Sequence, residues 1–103
     1  MAETLDEQLS ALADRIGKMA LCYGDANSKS LLALQDRLID LSNQAIAKEM
    51  QADEVNYTKA LEQINQAIAI IGDGSKKIDK IDEAFSIVAK VIDFAVKAMS
   101  KAL

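Results

Sequence analysis

Cys22 and the sixteen acidic residues are the side chains of this chain best suited to catalysis or metal binding, and no histidine accompanies them. Histidine is the commonest general base and a frequent zinc ligand, so the usual zinc sites and the Glu-x-x-His pairs of di-iron bundles are excluded. One cysteine cannot form a Cys-x-x-Cys redox pair or a four-cysteine zinc site within a chain. We therefore expect Cys22 to be a small, half-buried filler beside a turn.

The segment from Gly72 to Lys77 combines glycines, an aspartate and lysines, and it is the second candidate for ligand binding. Counted as a calcium loop from Asp73, it places Lys77 at a ligand position and Ala84 where the bidentate acid belongs. It also lacks the spacing and the preceding strand of a phosphate-binding loop. This segment predicts a turn rather than a calcium or phosphate site.

Adjacent carboxylates occur twice, as Asp53 with Glu54 and as Asp82 with Glu83. Neighbouring residues on a helix point about 100° apart, so neither pair shares a site. A carboxylate enzyme also needs a pocket that shifts a pKa, and a narrow bundle of this length has little room for one. The sequence therefore predicts no enzyme, and no catalytic, cofactor-binding or metal-binding residue.

The composition is typical of helices, since half of the residues are hydrophobic, few are aromatic and proline is absent. We predict an all-α fold, an antiparallel helical bundle that forms one domain over residues 1 to 103. Charged residues interrupt the longest apolar stretch, so a membrane association is not expected. The lone cysteine and the absence of a signal-like amino terminus favour a cytoplasmic protein.

The net charge of −4 is unevenly distributed, because residues 1 to 56 carry ten acids against five bases. Nucleic-acid binding needs a basic stripe, so this distribution disfavours it. An acidic face could instead attract a basic protein partner. The candidate partner face consists of Asp6, Asp14, Asp36 and Asp40.

The first helix is predicted to begin near Glu3 or Thr4, where Thr4 and Glu7 have the spacing of a capping box. Gly24 is expected to end it. Its apolar residues form one narrow stripe for a single neighbour: Leu5, Leu9, Leu12, Ile16, Met19 and Tyr23. Gly17 lies inside this helix, and we expect the helix to tolerate it rather than to use it for a close backbone approach.

A second periodic segment follows Asn27 or Ser28 and carries two rows of apolar residues. One row contains Leu31, Leu34, Leu38, Leu41 and Ala45, and the other contains Leu32, Ile39 and Ile46. Gln35 and Ser42 complete the spacing of the second row. Uncharged polar residues within an apolar row predict packing against two neighbours, with small side chains or a hydrogen bond at the junction.

Neither glycine nor proline occurs from residue 25 to 71, so one helix could run from about residue 28 to 71. At roughly 66 Å, such a helix would match the first and last helices laid end to end. We favour this arrangement, which leaves each protomer two helices thick and therefore predicts an antiparallel homodimer. The alternative is a turn near residues 52 to 56, which would close a monomeric four-helix bundle.

The turn at residues 72 to 75 is expected to end one helix and to start the last, with Asp73 or Ser75 as its cap. The apolar arc of the last helix covers roughly 200°, more than one neighbouring helix can bury. One row runs from Ile78 through Ile92 to Met99 and Ala102. A second row supplies the candidate oligomer seam, Ile87, Val91, Phe94 and Ala98.

These features predict a small protein-binding module that covers or tethers a protein partner, in the manner of an inhibitor, immunity protein, antitoxin, anti-defence protein or adaptor. The alternatives are an amphipathic helix on a lipid surface, with Phe85 and Phe94 entering the interface, and a self-assembling structural subunit.

Overall fold

The computed structural model describes residues 4 to 48 and 54 to 100, which form four helices. These helices are α1 (Leu5–Ala20), α2 (Ala26–Lys48), α3 (Glu54–Ile71) and α4 (Ile81–Ser100). Each helix repeats apolar residues every three or four positions, and this spacing places them on one side of an α-helix. The predicted all-α fold is confirmed.

The helices form a closed four-helix bundle around one core. α1 packs against α2, and α3 packs against α4, so the bundle is made of two hairpins. The hairpins meet where α1 packs on α3 and α2 packs on α4. Because these four contacts close a ring, the consecutive helices α2 and α3 lie diagonally across the core.

Hydrogen bonds at the two ends of the bundle give the directions of the helices. At one end, the Leu5 amide donates to the Tyr57 hydroxyl at 2.9 Å, and at the other the Arg15 guanidinium donates to the Gly72 carbonyl at 2.6 Å. α1 and α3 therefore run parallel. The Ser42 hydroxyl donates to a backbone carbonyl near the start of α1, so α2 runs antiparallel to α1.

The favoured single helix from residue 28 to 71 is wrong. The longest dimension of the chain is 40 Å, whereas such a helix would extend for roughly 66 Å. α3 instead returns alongside α1, as the alternative arrangement required; residues 49 to 53, between α2 and α3, lie outside the described residues. The two-helix protomer from which the homodimer was derived does not form, so the closed bundle removes the argument for a dimer without testing whether one forms.

The start of α1 agrees with the sequence, and its end does not. Thr4 is the N-cap residue, but its side chain makes no capping hydrogen bond, and its buried hydroxyl has no partner among the described residues. The helix ends at Ala20 instead of continuing to Gly24. The prediction of a single neighbour is wrong, because α1 packs on both α2 and α3. The five predicted residues inside the helix are nevertheless buried: Leu5, Leu9, Leu12, Ile16 and Met19.

α4 begins at Ile81, several residues after the predicted start. The Asp73 carboxylate accepts a hydrogen bond from the Ser75 amide at 2.9 Å, so it stabilises a tight turn and not the first turn of the helix. Gly72 and Gly74 both have positive φ angles, 70° and 81°, which favour glycine. The sequence therefore located the turn correctly but missed the loop that continues to residue 80.

This loop, residues 72 to 80, packs against the end of α1. Gly74 lies so close to the carbonyl of Arg15 that an added Cβ would collide with it. The Tyr23 hydroxyl accepts a hydrogen bond from the Ile78 amide at 3.1 Å and lies 3.4 Å from the Ile78 carbonyl. Both residues were predicted to lie within helical stripes, but the structure places them outside the helices. Their hydrogen bonds join the connection between α1 and α2 to the loop between α3 and α4.

Candidate functional site

The residues proposed as an oligomer seam on α4 pack inside a single chain. Ile87, Val91 and Ala98 are buried, with no more than 8% of their surface exposed. Phe94 is half-buried, and the ammonium groups of Lys59 and Lys97 lie 5.8 and 5.9 Å from the centre of its ring. Ile87, Val91 and Ala98 belong to the core of one protomer, so an interface between copies that used these three would require the bundle to open; Phe94 lies at the edge of the core.

The four aspartates proposed as a partner face are only partly gathered on one surface. Asp36 and Asp40 are exposed on α2, four residues apart and hence on the same side of the helix. Asp14 is exposed on the neighbouring helix α1. Asp6 is half-buried, and its backbone carbonyl accepts the hydrogen bond from Ser42, so it lies where α1 and α2 touch.

Three large apolar residues of α2 are exposed in one row, which we call the α2 apolar row. Leu32 and Ile39 expose 44% of their surface and Ile46 exposes 66%. Residues seven apart on a helix lie on nearly the same side, so the three form a line roughly 21 Å long. The sequence predicted that this row would pack against a second neighbouring helix. Among the described residues, no helix covers its apolar members.

The polar members of that row do make the predicted junction between helices. Ser42 is buried and donates a hydrogen bond of 2.9 Å to the carbonyl of Asp6. The Gln35 side chain packs over Gly17, with its carboxamide carbon 2.7 Å from the position that a Cβ would take. Gly17 is therefore not merely tolerated, because its missing side chain makes room for Gln35. The sequence could not predict this contact, because it does not show which residues of α1 and α2 lie opposite each other.

These two contacts orient the α2 apolar row relative to α1. Gln35 and Ser42 face α1, and each lies about 40° to 60° around the helix from Ile39 on one side. Asp36 lies about 60° from Ile39 on the other side. The α2 apolar row therefore runs along the outer edge of the line where α1 and α2 meet, with α1 on one flank and Asp36 on the other.

The charged groups around the α2 apolar row are mainly acidic. Asp40 lies about 100° around the helix from Ile39, beyond Asp36, and pairs with Arg37 at 3.2 Å. On α1, Asp14 lies three residues before Gly17 and about 60° further toward solvent. Two exposed cations also lie near this surface: Lys29, three residues before Leu32 on α2, and Lys18, four residues after Asp14 on α1. Carboxylates therefore border the row on both helices.

Outside this surface, the described residues contain few features that suggest chemistry. Cys22 is free and half-buried, and its sulfur lies 4.0 Å from the Gly74 carbonyl. Hydrogen bonds from Ser75 lower the pKa of Asp73 below its ordinary value, and the charge of Lys18 adds to this effect. Within residues 4 to 48 and 54 to 100, no three potential metal-binding side chains lie together.

A shallow depression of about 370 Å³ lies on the outer side of α3. Its described lining is Val55, Thr58, Lys59 and Glu62, which share one side of the helix. The depression is open to solvent, unlike the enclosed, convergent sites that bind small molecules.

No family model, curated protein or solved structure matches this chain. Among the described helices, none has the length and apolar character needed to cross a membrane.

Proposed function

We propose that this chain is a non-enzymatic protein-binding module that covers or tethers a partner protein through the outer face of the α1–α2 hairpin. The observation that supports this proposal is the α2 apolar row. Isolated apolar residues are common on protein surfaces, but Leu32, Ile39 and Ile46 are aligned and lie beside Asp36. An exposed apolar line with a charged border is typical of a surface that a protein partner covers.

The same face includes most of the acidic residues predicted to meet a partner. Asp14, Asp36 and Asp40 are exposed around the α2 apolar row, so charge and apolar contact are available on one surface. Apolar contact supplies affinity, and surface charges mainly increase the association rate and exclude wrong partners. The proposal keeps a reducing, cytoplasmic setting, which a single cysteine supports.

Affinity capture with a matched pair of variants tests this proposal. Ile39→Asp places a charge in the middle of the α2 apolar row, whereas Val96→Asp makes the same kind of change at a comparably exposed residue of α4. The tagged chain and both variants are crosslinked in cells of the natural source, and the captured proteins are quantified. We expect a partner that wild type and Val96→Asp retain and Ile39→Asp loses. Identical captured proteins for all three chains would refute the proposal.

Self-association is a separate part of the proposal, and native mass tests it. Four helices already close the core of one chain, so folding does not require a second copy. Light scattering on a sizing column is expected to give the monomer mass of 11.1 kDa at low micromolar concentration. A mass of twice that value would restore the homodimer, and Ile39→Asp would then show whether the α2 apolar row forms its interface.

A further inference from the structure

The chemistry around the α2 apolar row indicates what kind of partner segment it would hold. We infer that the row binds one amphipathic helix of the partner, with an apolar stripe flanked by lysine or arginine. This inference rests on the proposed function and specifies the partner of that same face.

The shape of the surface favours a helix over an extended segment. Leu32, Ile39 and Ile46 repeat every seven residues, which is the repeat with which one helix packs along another. The row is about 21 Å long, so four turns of a partner helix would cover it. The edge of α1 beside the row presents the small residue Ser10, and at Gly17 the Gln35 side chain fills the space next to the row.

Ser10 and Gly17 lie seven residues apart and therefore on the same side of α1. Gly17 touches Gln35 of α2, so this side of α1 borders the α2 apolar row. A partner helix placed on the row would thus rest against α2 and would contact Ser10 of α1 and the Gln35 side chain that covers Gly17. The three helices would pack as a triangle, with α1 and α2 forming a groove.

The charges on the two walls of this groove indicate which charges would suit the flanks of the partner helix. Asp36 and Asp40 lie on the α2 wall and Asp14 lies on the α1 wall, and all three are exposed. Arg37 pairs with Asp40 but points about 160° away from Ile39, so it does not face the groove. Lys29 offsets one of these charges at the Leu32 end, and the exposed Lys18, four residues after Asp14 on α1, offsets another. Basic residues that face Asp36 on one flank of the partner helix and Asp14 on the other would therefore be favoured.

A synthetic peptide of eighteen residues tests the inference directly, with leucines on one helical stripe and lysines on its flanks. A second peptide keeps the leucines and carries glutamates, and a scrambled peptide keeps the lysine composition without a stripe. Backbone amide shifts of the ¹⁵N-labelled chain locate the binding surface, and titration gives the dissociation constant. We expect the lysine peptide to bind, with the largest shifts at Leu32, Ile39, Ile46 and Ser10.

Two pairs of variants separate the groove from a general attraction between opposite charges. Ile39→Asp is compared with Val96→Asp, and the double variant Asp36→Lys/Asp40→Lys is compared with Asp79→Lys/Asp82→Lys, which changes the net charge equally at exposed sites outside the groove. The groove variants are expected to weaken binding about tenfold or more, and the controls by roughly threefold at most. The glutamate peptide should bind Asp36→Lys/Asp40→Lys more tightly than it binds wild type.

Three results would overturn the inference. The first is equal binding of the scrambled peptide, and the second is a set of shifts spread over all four helices or centred on α3 and α4. The third is concentration-dependent shifts at the α2 apolar row without peptide, which would identify a second copy of the chain as its occupant. If cellular capture depends on Ile39 but no peptide binds the groove, the proposed function stands and the helical partner is wrong.

Discussion

The backbone amide of Leu5 donates a hydrogen bond to the phenolic oxygen of Tyr57, 2.9 Å away, and so joins the start of α1 to the first turn of α3. The amide at the first position of a helix has no partner within that helix, and a side chain or water must satisfy it. Capping boxes usually perform this function locally. Here a residue 52 positions away performs it, which ties α3 to α1 and excludes the single long helix.

Tyr57→Phe should therefore destabilise the bundle without changing its shape. Loss of the hydroxyl removes the hydrogen bond that it accepts from the Leu5 amide, and we expect the free energy of unfolding to fall by about 1 kcal/mol. Urea denaturation followed by circular dichroism measures this change. Thr58→Ala, at the exposed neighbouring position, is the control. An unchanged free energy for Tyr57→Phe would mean that water replaces the hydroxyl without loss.

The glycines of the connections should differ in their tolerance of alanine. Gly24 has open space and no positive φ, so Gly24→Ala is expected to be neutral or to stabilise the chain by up to about 1 kcal/mol. Gly72 has open space but a φ of 70°, so Gly72→Ala should cost about 1 to 2 kcal/mol. Gly74 has a φ of 81° and faces the Arg15 carbonyl, so Gly74→Ala should cost more than either.

Thermal unfolding of the three variants measures this order. Equal losses for Gly72→Ala and Gly74→Ala would show that the loop can move away from α1 at little cost.

Charges introduced at Leu38 and Leu32 should distinguish the inner from the outer side of α2. Leu38 is fully buried, and Leu38→Asp leaves an unpaired charge in the core, which we expect to cost about 3 kcal/mol or more. Leu32 exposes 44% of its surface, so Leu32→Asp should stay within about 1 kcal/mol of wild type. Chemical denaturation of both variants provides the comparison. Similar losses would contradict the assignment of the α2 apolar row to the surface.

The Asp73 carboxylate, in the turn after α3, should become protonated only at low pH. Hydrogen bonds from the side chain and amide of Ser75 hold the pKa of Asp73 below its ordinary value of 3.8. A carboxylate with a lowered pKa in the folded state contributes stability above its unfolded pKa and loses it as the pH falls through the folded pKa. The Asp73 carboxylate should therefore stay ionised, and keep accepting its hydrogen bonds, at pH values somewhat below its ordinary pKa of 3.8.

The carboxyl carbon shift of Asp73, followed by NMR against pH, is the suitable measurement. Ser75→Ala is expected to raise the midpoint toward the ordinary value, and Ser86→Ala, at an exposed serine of α4, should leave it unchanged. A midpoint that Ser75→Ala does not move would show that the Ser75 side chain does not stabilise the carboxylate.

The sequence by itself determined the helical class, the buried stripe of α1, the start of that helix and the turn at residues 72 to 75. The class and the stripe depend on the 3.6-residue period and the turn depends on glycine, and both act within a few positions of the chain. The start of α1 was located correctly, although Thr4 makes no capping hydrogen bond. The sequence also indicated a polar junction on α2, since Ser42 interrupts an apolar row. Local patterns of this kind are visible because their physical causes are local.

Only the tertiary structure decided which helices are neighbours. The sequence could not distinguish one long helix from two, because the apolar residues on both sides of residue 50 continue with the same phase. The close contacts that decide it join distant residues, such as Leu5 with Tyr57 and Gly17 with Gln35. The packing of the four helices also buries Val91 and leaves Ile39 exposed, so it decided which apolar row stays on the surface.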